Sequence, residues 1–139
     1  MANKAGQGSV VLYPYLWRSQ RDAGETEGRK KRPACLILRM QDPKQSLHHL
    51  MILPISSKPP GAAQKAIEIP DTERRRAGLS RYPRAWIVIS EYNYDIEELS
   101  YYYEPGEPLG AFSAPFLRQI AMAVQSAFKT AGARIDRTR

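Results

Sequence analysis

The sequence predicts a mainly β fold with one C-terminal helix, in the α+β class. Short apolar segments rich in β-branched residues recur through residues 9–89 and are separated by turn residues, a pattern typical of strands. Apolar side chains repeat at helical spacing over several turns only near the end, in residues 113–128. Five or six short strands followed by one helix favour a small SH3-like barrel with the helix packed on it.

Apolar runs predict the positions of the strands, and two prolines limit where the first two can run. The first strand is predicted at Ser9–Trp17, where Pro14 requires an edge position or a bulge. Pro33 opens the second strand, because a proline lacks the N–H group that a strand interior needs. From there, strands are predicted at Ala34–Met40, His48–Ile55, Ala66–Ile69 and Arg84–Ile89.

The remaining segments have different characters. Residues 18–32 form a polar stretch that is long for a loop in a compact domain, and such loops are usually functional or disordered. Asp71 is expected to cap a short helix that ends at Gly78. Residues 91–107 are acidic and rich in tyrosine, and we expect one or two short, exposed strands there. The terminal helix begins at Ser113, and its apolar face carries Leu117, Ile120, Val124 and Phe128.

The composition limits the class of protein. The length of 139 residues predicts a single domain, residues 1–139. Its last residues are basic and are expected to form a frayed tail. Cys35 is the only cysteine and lies in an apolar run, so it is expected to be an inert core thiol. His48 and His49 point to opposite faces of their strand, and no metal-ligand spacing is present. With no signal peptide and no apolar run of roughly 18 residues, we expect a cytoplasmic protein that uses no metal or cofactor and no membrane.

The net charge of +7 is distributed unevenly. Residues 1–90 carry 16 lysines and arginines against seven acids, whereas residues 91–107 carry six acids and no base. A basic body favours a polyanionic partner, with RNA or DNA first. The acidic segment is either a solvated face or part of a site.

Four consecutive cations, Arg29 to Arg32, come directly before Pro33. Arg32 therefore lies where a polar loop enters a buried strand, and a guanidinium held there can bind a phosphate through two parallel hydrogen bonds. The alternative is a solvated charge run beside a core strand. Short basic runs by themselves do not separate the two.

Four polar residues lie at the ends of predicted buried strands, namely Arg32, Ser56, Ser57 and Glu91. If these strand ends converge, they combine a cation, hydroxyl groups and a carboxylate. Such a set can break an RNA phosphodiester without metal: the RNA hydroxyl attacks, the carboxylate or a loop residue takes its proton, and Arg32 stabilises charge on the phosphoryl oxygens. The alternative makes the two serines turn residues and Glu91 an exposed strand end.

Several of these motifs together resemble the PemK/MazF toxins, over about residues 8–130. The similar segments are Gly8–Val11, Gly24–Gly28, Arg32–Ile37, Leu53–Ser57 and Ala77–Leu79, with the terminal amphipathic helix. The resemblance implies the toxin of a bacterial toxin–antitoxin pair, an SH3-like barrel that forms homodimers and cuts single-stranded RNA without metal. The resemblance also implies that Arg32 corresponds to the family's arginine before proline. It implies that Ser56 corresponds to the family's catalytic or RNA-contacting hydroxyl residue.

The chain departs from the family pattern near the late strand. Glu91-Tyr92 stands where some members carry Asp-Gln, and Ile89 and Ser90 stand where some carry an arginine. An alternative is therefore a non-catalytic barrel that binds gyrase, as CcdB does, or RNA. A structural protein with a basic face is a third possibility.

The sequence thus predicts a catalytic group and an RNA-binding groove. Arg32, Ser56 and Glu91 are predicted to be catalytic. The RNA-binding groove is predicted at Arg18, Arg21, Arg29, Lys30, Lys31, Ser57 and Lys58. Expected partners are single-stranded RNA, an acidic cognate antitoxin and a second copy of the chain, which would pack through Trp17, Trp86 and the tyrosines of residues 92–103.

Overall fold

The computed structural model describes residues 5–24, 30–104, 106–128 and 134–138. Within these residues the strands are β1 (Ser9–Tyr13), β2 (Arg32–Gln41), β3 (His48–Ser56), β4 (Ala66–Glu68), β5 (Trp86–Val88), β6 (Tyr92–Ile96), β7 (Gly110–Ala111) and β8 (Arg134–Asp136). The helices are α1 (Arg18–Asp22), α2 (Asp71–Arg76) and α3 (Ala114–Phe128). The mainly β class with a C-terminal helix is thus confirmed.

The strands form one sheet in the order β4-β5-β3-β2-β1-β7, and β6 joins it by pairing with β3 and β8. Every pairing is antiparallel except that of β6 with β8. One edge of β3 is shared, because β6 pairs with residues 49–52 and β5 with residues 55–56. Among the described residues no pairing joins β4 to β7, so the sheet stays open and is not closed into a barrel.

The core consists of two clusters. The larger one packs under α3 and includes Leu53, Ile87 and Ile120. Phe116, Ile120 and Val124 are the buried residues of α3, whereas the predicted Leu117 and Phe128 are only partly buried. The smaller cluster combines residues of β1, β2 and β3 with Ala5, Tyr15 and Tyr103, and its Tyr13 and Tyr15 are fully enclosed. Burial raises the pKa of the Cys35 thiol to about 12, as expected of an inert core cysteine.

A close backbone approach joins α2 to β7. Gly78 has φ +75°, and a Cβ atom there would lie 2.2 Å from the carbonyl oxygen of Leu109. Only glycine allows that approach without strain. The Glu73 carboxylate accepts hydrogen bonds from the backbone N–H (2.9 Å) and the hydroxyl (2.6 Å) of Ser113, the residue before α3. These contacts hold α2 against residues 109–113, immediately before the segment 79–85 that leads into β5.

Several segments differ from the sequence-based expectations, and one of them is the predicted loop of residues 18–32, which begins with α1. The acidic segment was predicted to hold exposed strands, but β6 is internal, and Asn93 and Asp95 on it are fully buried. The expected frayed tail contains β8, and its Ile135 and Arg137 are buried. Pro14 follows β1 instead of interrupting it. No helix in the described part of the chain has the length and apolar character needed to cross a membrane.

Candidate nucleic-acid interface

A cleft of about 300 Å³ opens where β2 begins and β3 ends. These two ends meet because β2 and β3 are antiparallel, with Ala34 opposite Pro54. The connection from α2 to β5 joins them because β5 pairs with the end of β3. The lining residues are Lys30, Lys31, Arg32, Pro33, Ile55, Ser57, Arg81, Tyr82 and Ala85.

The cleft is strongly cationic. Four of its lining residues are lysine or arginine, and no acid is among the described residues that line it. Lys31 forms an ion pair with Glu104 at 3.3 Å. Both side chains are largely exposed, so this pair contributes little to the stability of the fold. Glu104 belongs to the acidic segment, which therefore reaches a cation of the predicted RNA path at this point. The floor of the cleft is apolar, because Ile55 and Ala85 belong to the larger core cluster.

The two predicted serines have different surroundings. The Ser56 hydroxyl donates to the carbonyl of Lys58 and accepts from its N–H, both at 3.0 Å, so it closes the turn after β3. Ser57 lines the cleft beside Arg32. Ser56 and Lys58 are not among the described residues that line it.

Glu91 lies in a different environment. One carboxylate oxygen, Oε1, accepts hydrogen bonds from the hydroxyl of Tyr15 (3.2 Å) and the backbone N–H of Arg18 (2.9 Å). Its side chain is buried, and this desolvation raises the pKa of the Glu91 carboxyl. Tyr15 belongs to the smaller cluster. Glu91 is absent from the cleft lining among the described residues, so its contacts instead hold the start of α1.

The other predicted RNA contacts lie mostly outside the cleft. Arg18 and Arg21 are exposed residues of α1, and Arg21 pairs with Asp22 at 3.3 Å. Arg29 lies outside the described residues, as does most of the Gly24–Gly28 motif. The structure thus brings Lys30, Lys31, Arg32 and Ser57 of the predicted set together.

Two lining residues were missed from the sequence, Arg81 and Tyr82. The Cζ atom of Arg81 lies 5.1 Å from the centroid of the Tyr82 ring. They come shortly before a buried strand, and Tyr82 stands directly before Pro83 as Arg32 stands before Pro33. That repeated arrangement of cation, proline and apolar strand is the signal that could have identified them.

One described group has the composition of a metal site, His48 with Glu97 and Glu98, whose ligand atoms lie within 4.8 Å of one another. Internal partners already satisfy it. Arg39 binds both oxygens of Glu97 (2.8 and 3.0 Å), and His48 Nδ1 contacts Glu98 at 2.5 Å. His49 bonds instead to the Tyr94 hydroxyl, so the two histidines have separate partners.

The apolar surface expected at a dimer interface is only partly exposed at the predicted residues. Trp86 is buried within the chain, and Trp17 packs edge-on against Tyr15. A separate apolar groove of about 650 Å³ lies between the sheet and α3, with Leu38 and Met122 on its exposed rim.

Comparison with protein-family models, with curated proteins and with solved structures finds no match to this chain.

Proposed function

We propose that this chain is a ribonuclease toxin of the PemK/MazF type, which binds single-stranded RNA in the cationic cleft and cleaves it without metal. The observation that carries the proposal is the convergence of Lys30, Lys31, Arg32 and Arg81 beside Ser57. Four like charges on one cleft repel one another, and a phosphate chain relieves that repulsion.

Arg32 is the residue best placed to act on a phosphate. Its backbone is held in the ladder between β1 and β2, opposite Tyr13, while its side chain is exposed at the cleft. A guanidinium on a rigid strand loses little entropy when it binds two phosphoryl oxygens.

The proposed cleavage uses the substrate's own nucleophile. The 2′-hydroxyl of the RNA gives its proton to solvent water and attacks the adjacent phosphorus, the bond to the 5′-oxygen breaks, and that oxygen takes up a proton from solvent. The products are a 2′,3′-cyclic phosphate and a 5′-hydroxyl. Arg32 stabilises the negative charge that develops on the phosphoryl oxygens. Glu91 holds the Arg18 backbone at the start of α1.

Fold and partners complete this proposal. Along β3 the pairing partner changes from β6 at residues 49–52 to β5 at residues 55–56. A bent strand in an SH3-like barrel would change partners in the same way. A homodimer, an acidic antitoxin that competes for the cationic cleft, and a cytoplasmic site of action follow from the resemblance.

A second candidate function is RNA binding without cleavage. One observation favours it: Glu91 is engaged by Tyr15 and Arg18, and the Ser56 hydroxyl is engaged in its own turn. Two of the three predicted catalytic groups thus already have internal partners.

The deciding experiment incubates the purified chain with labelled single-stranded RNA of mixed sequence in the presence of a chelator. Fragments that end in a cyclic phosphate support the ribonuclease. Tight binding without cleavage supports the second candidate, and neither binding nor cleavage overturns both. Arg32→Ala should abolish most cleavage. Lys44→Ala is the matched control, because it removes one exposed charge from the turn at the far end of β2.

A further inference from the structure

Arg81 and Tyr82 form a fixed pair on one wall of the cleft. The Tyr82 ring is half-buried and packs against the larger core cluster, and its backbone N–H donates to the carbonyl of Leu79 at 3.0 Å. Arg81 is exposed and lies over that ring, 5.1 Å from the centroid. The aromatic ring thus provides a rigid support for a guanidinium that faces the solvent.

The part of the chain that the structure describes gives Arg81 no carboxylate partner. Arg84 is the contrasting case. Arg84 also lies over a ring, 4.7 Å from the centroid of Trp86, but both oxygens of Glu68 bind it at 2.8 Å. Arg84 is therefore satisfied by its own chain, whereas Arg81 is exposed and has no such partner among the described residues.

We propose that Arg81 and Tyr82 are a base-binding platform: an unpaired RNA base stacks on the Arg81 guanidinium while Arg32 binds a neighbouring phosphate. This inference rests on the proposed function and specifies its substrate. A flat guanidinium supported by a ring matches the π-face of any base. In a duplex the bases remain stacked inside the helix, so only a single strand can place one in the cleft.

The test separates stacking from charge. Arg81→Lys keeps the positive charge but removes the planar group. Binding is measured by fluorescence anisotropy with a 12-nucleotide single-stranded RNA and with an abasic strand of the same length and phosphate count. We expect Arg81→Lys to weaken binding of the intact RNA about tenfold and to change binding of the abasic strand by less than about twofold. Arg84→Lys is the matched control and should change neither.

Tyr82→Leu tests the support of the platform. It retains an apolar side chain against the core, and thermal unfolding followed by circular dichroism verifies that the variant folds. We expect the same selective loss for the intact RNA. If Tyr82→Leu does not fold, the Arg81→Lys result decides alone.

The possible failures are distinguishable. Equal weakening of both strands by Arg81→Lys means that Arg81 contacts phosphate, and this overturns the platform while leaving RNA binding intact. Unchanged binding of both strands overturns it as well. A wild-type protein that binds neither strand overturns the proposed function itself.

Discussion

The Nη1 atom of Arg137 lies 2.8 Å from Oδ1 of Asn93 and 3.0 Å from the carbonyl oxygen of Pro14. Asn93 in turn bonds to both the N–H (2.9 Å) and the carbonyl (2.8 Å) of Leu16. Three distant parts of the chain are thus joined in one buried network. The segment from Pro14 to Leu16 lies just before α1, so Arg137, which follows β8, helps to position α1.

Replacing Arg137 should destabilise the protein. The side chain is 2% exposed and packs 3.8 Å from the centroid of the Tyr102 ring. Arg137→Ala removes two charged hydrogen bonds and leaves a cavity, so we expect a loss of about 2–4 kcal/mol in urea unfolding. Its Nε and Nη2 atoms have no hydrogen-bond partner among the described residues, so Arg137→Met, which removes this buried charge, should cost less. Equal stability of Arg137→Ala and the wild type would contradict the network's role.

Arg32→Ala should impair the chemical step more than RNA binding. Lys30, Lys31 and Arg81 still supply affinity, whereas one preorganised charge-stabilising donor is typically worth about 10²–10³ in rate. Arg32→Lys should rescue poorly, because an ammonium cannot bind two oxygens in parallel. Single-turnover cleavage with saturating protein measures the step. Unchanged cleavage by Arg32→Ala would remove Arg32 from the proposed mechanism.

Salt should weaken RNA binding in proportion to the phosphates that the cleft neutralises. For a single strand the logarithm of the binding constant falls by about 0.7 per contact for each unit of log salt. Lys30→Ala should therefore reduce the slope by about 0.7, and Lys44→Ala should leave it unchanged. Titrations from low to high salt with each variant measure the slopes. A flat wild-type curve would exclude a phosphate-binding cleft.

The raised pKa of Glu91 predicts a specific pH dependence of stability. Above the ordinary carboxyl pKa of 4.5, the unfolded state loses its proton before the folded state does. Below pH 4.5 the protonated Glu91 makes its full contribution to stability. That contribution is lost as the pH rises through the pKa that Glu91 has in the folded state. Glu91→Gln keeps an acceptor for Tyr15 and Arg18, so its stability relative to the wild type should improve from pH 4 to pH 7. Urea midpoints of both proteins across this range measure the difference, and a constant difference would contradict the prediction.

The same variant decides the catalytic role of Glu91. If Glu91 holds the start of α1, Glu91→Gln should retain most of the cleavage activity, because the amide oxygen replaces Oε1 in both hydrogen bonds. Loss of a general base would instead cost about 10²–10⁴ in rate with RNA binding unchanged. The second outcome would return Glu91 to the reacting groups.

The sequence by itself determined the elements whose pattern is local. Apolar runs placed β2 and β3 to within a few residues, and the helical spacing from Ser113 placed α3. Local spacing carries this information because it does not depend on the rest of the chain. Whether the ends of these strands converge stayed open in the sequence, and the structure brings Arg32 and Ser57 to one cleft by pairing β2 with β3.

Only the tertiary structure decided what lies between distant segments. The polar residues Asn93 and Asp95 were expected in an exposed strand, yet both are buried. Leu16 and Arg137 supply hydrogen bonds to Asn93, and Tyr13 supplies one to Asp95. Arg81 and Tyr82 enter the cleft because β5 pairs with the end of β3, while Glu91 is held by Tyr15 and Arg18. These placements depend on contacts more than 40 residues apart in several cases, such as Tyr13 with Asp95, which no local pattern encodes.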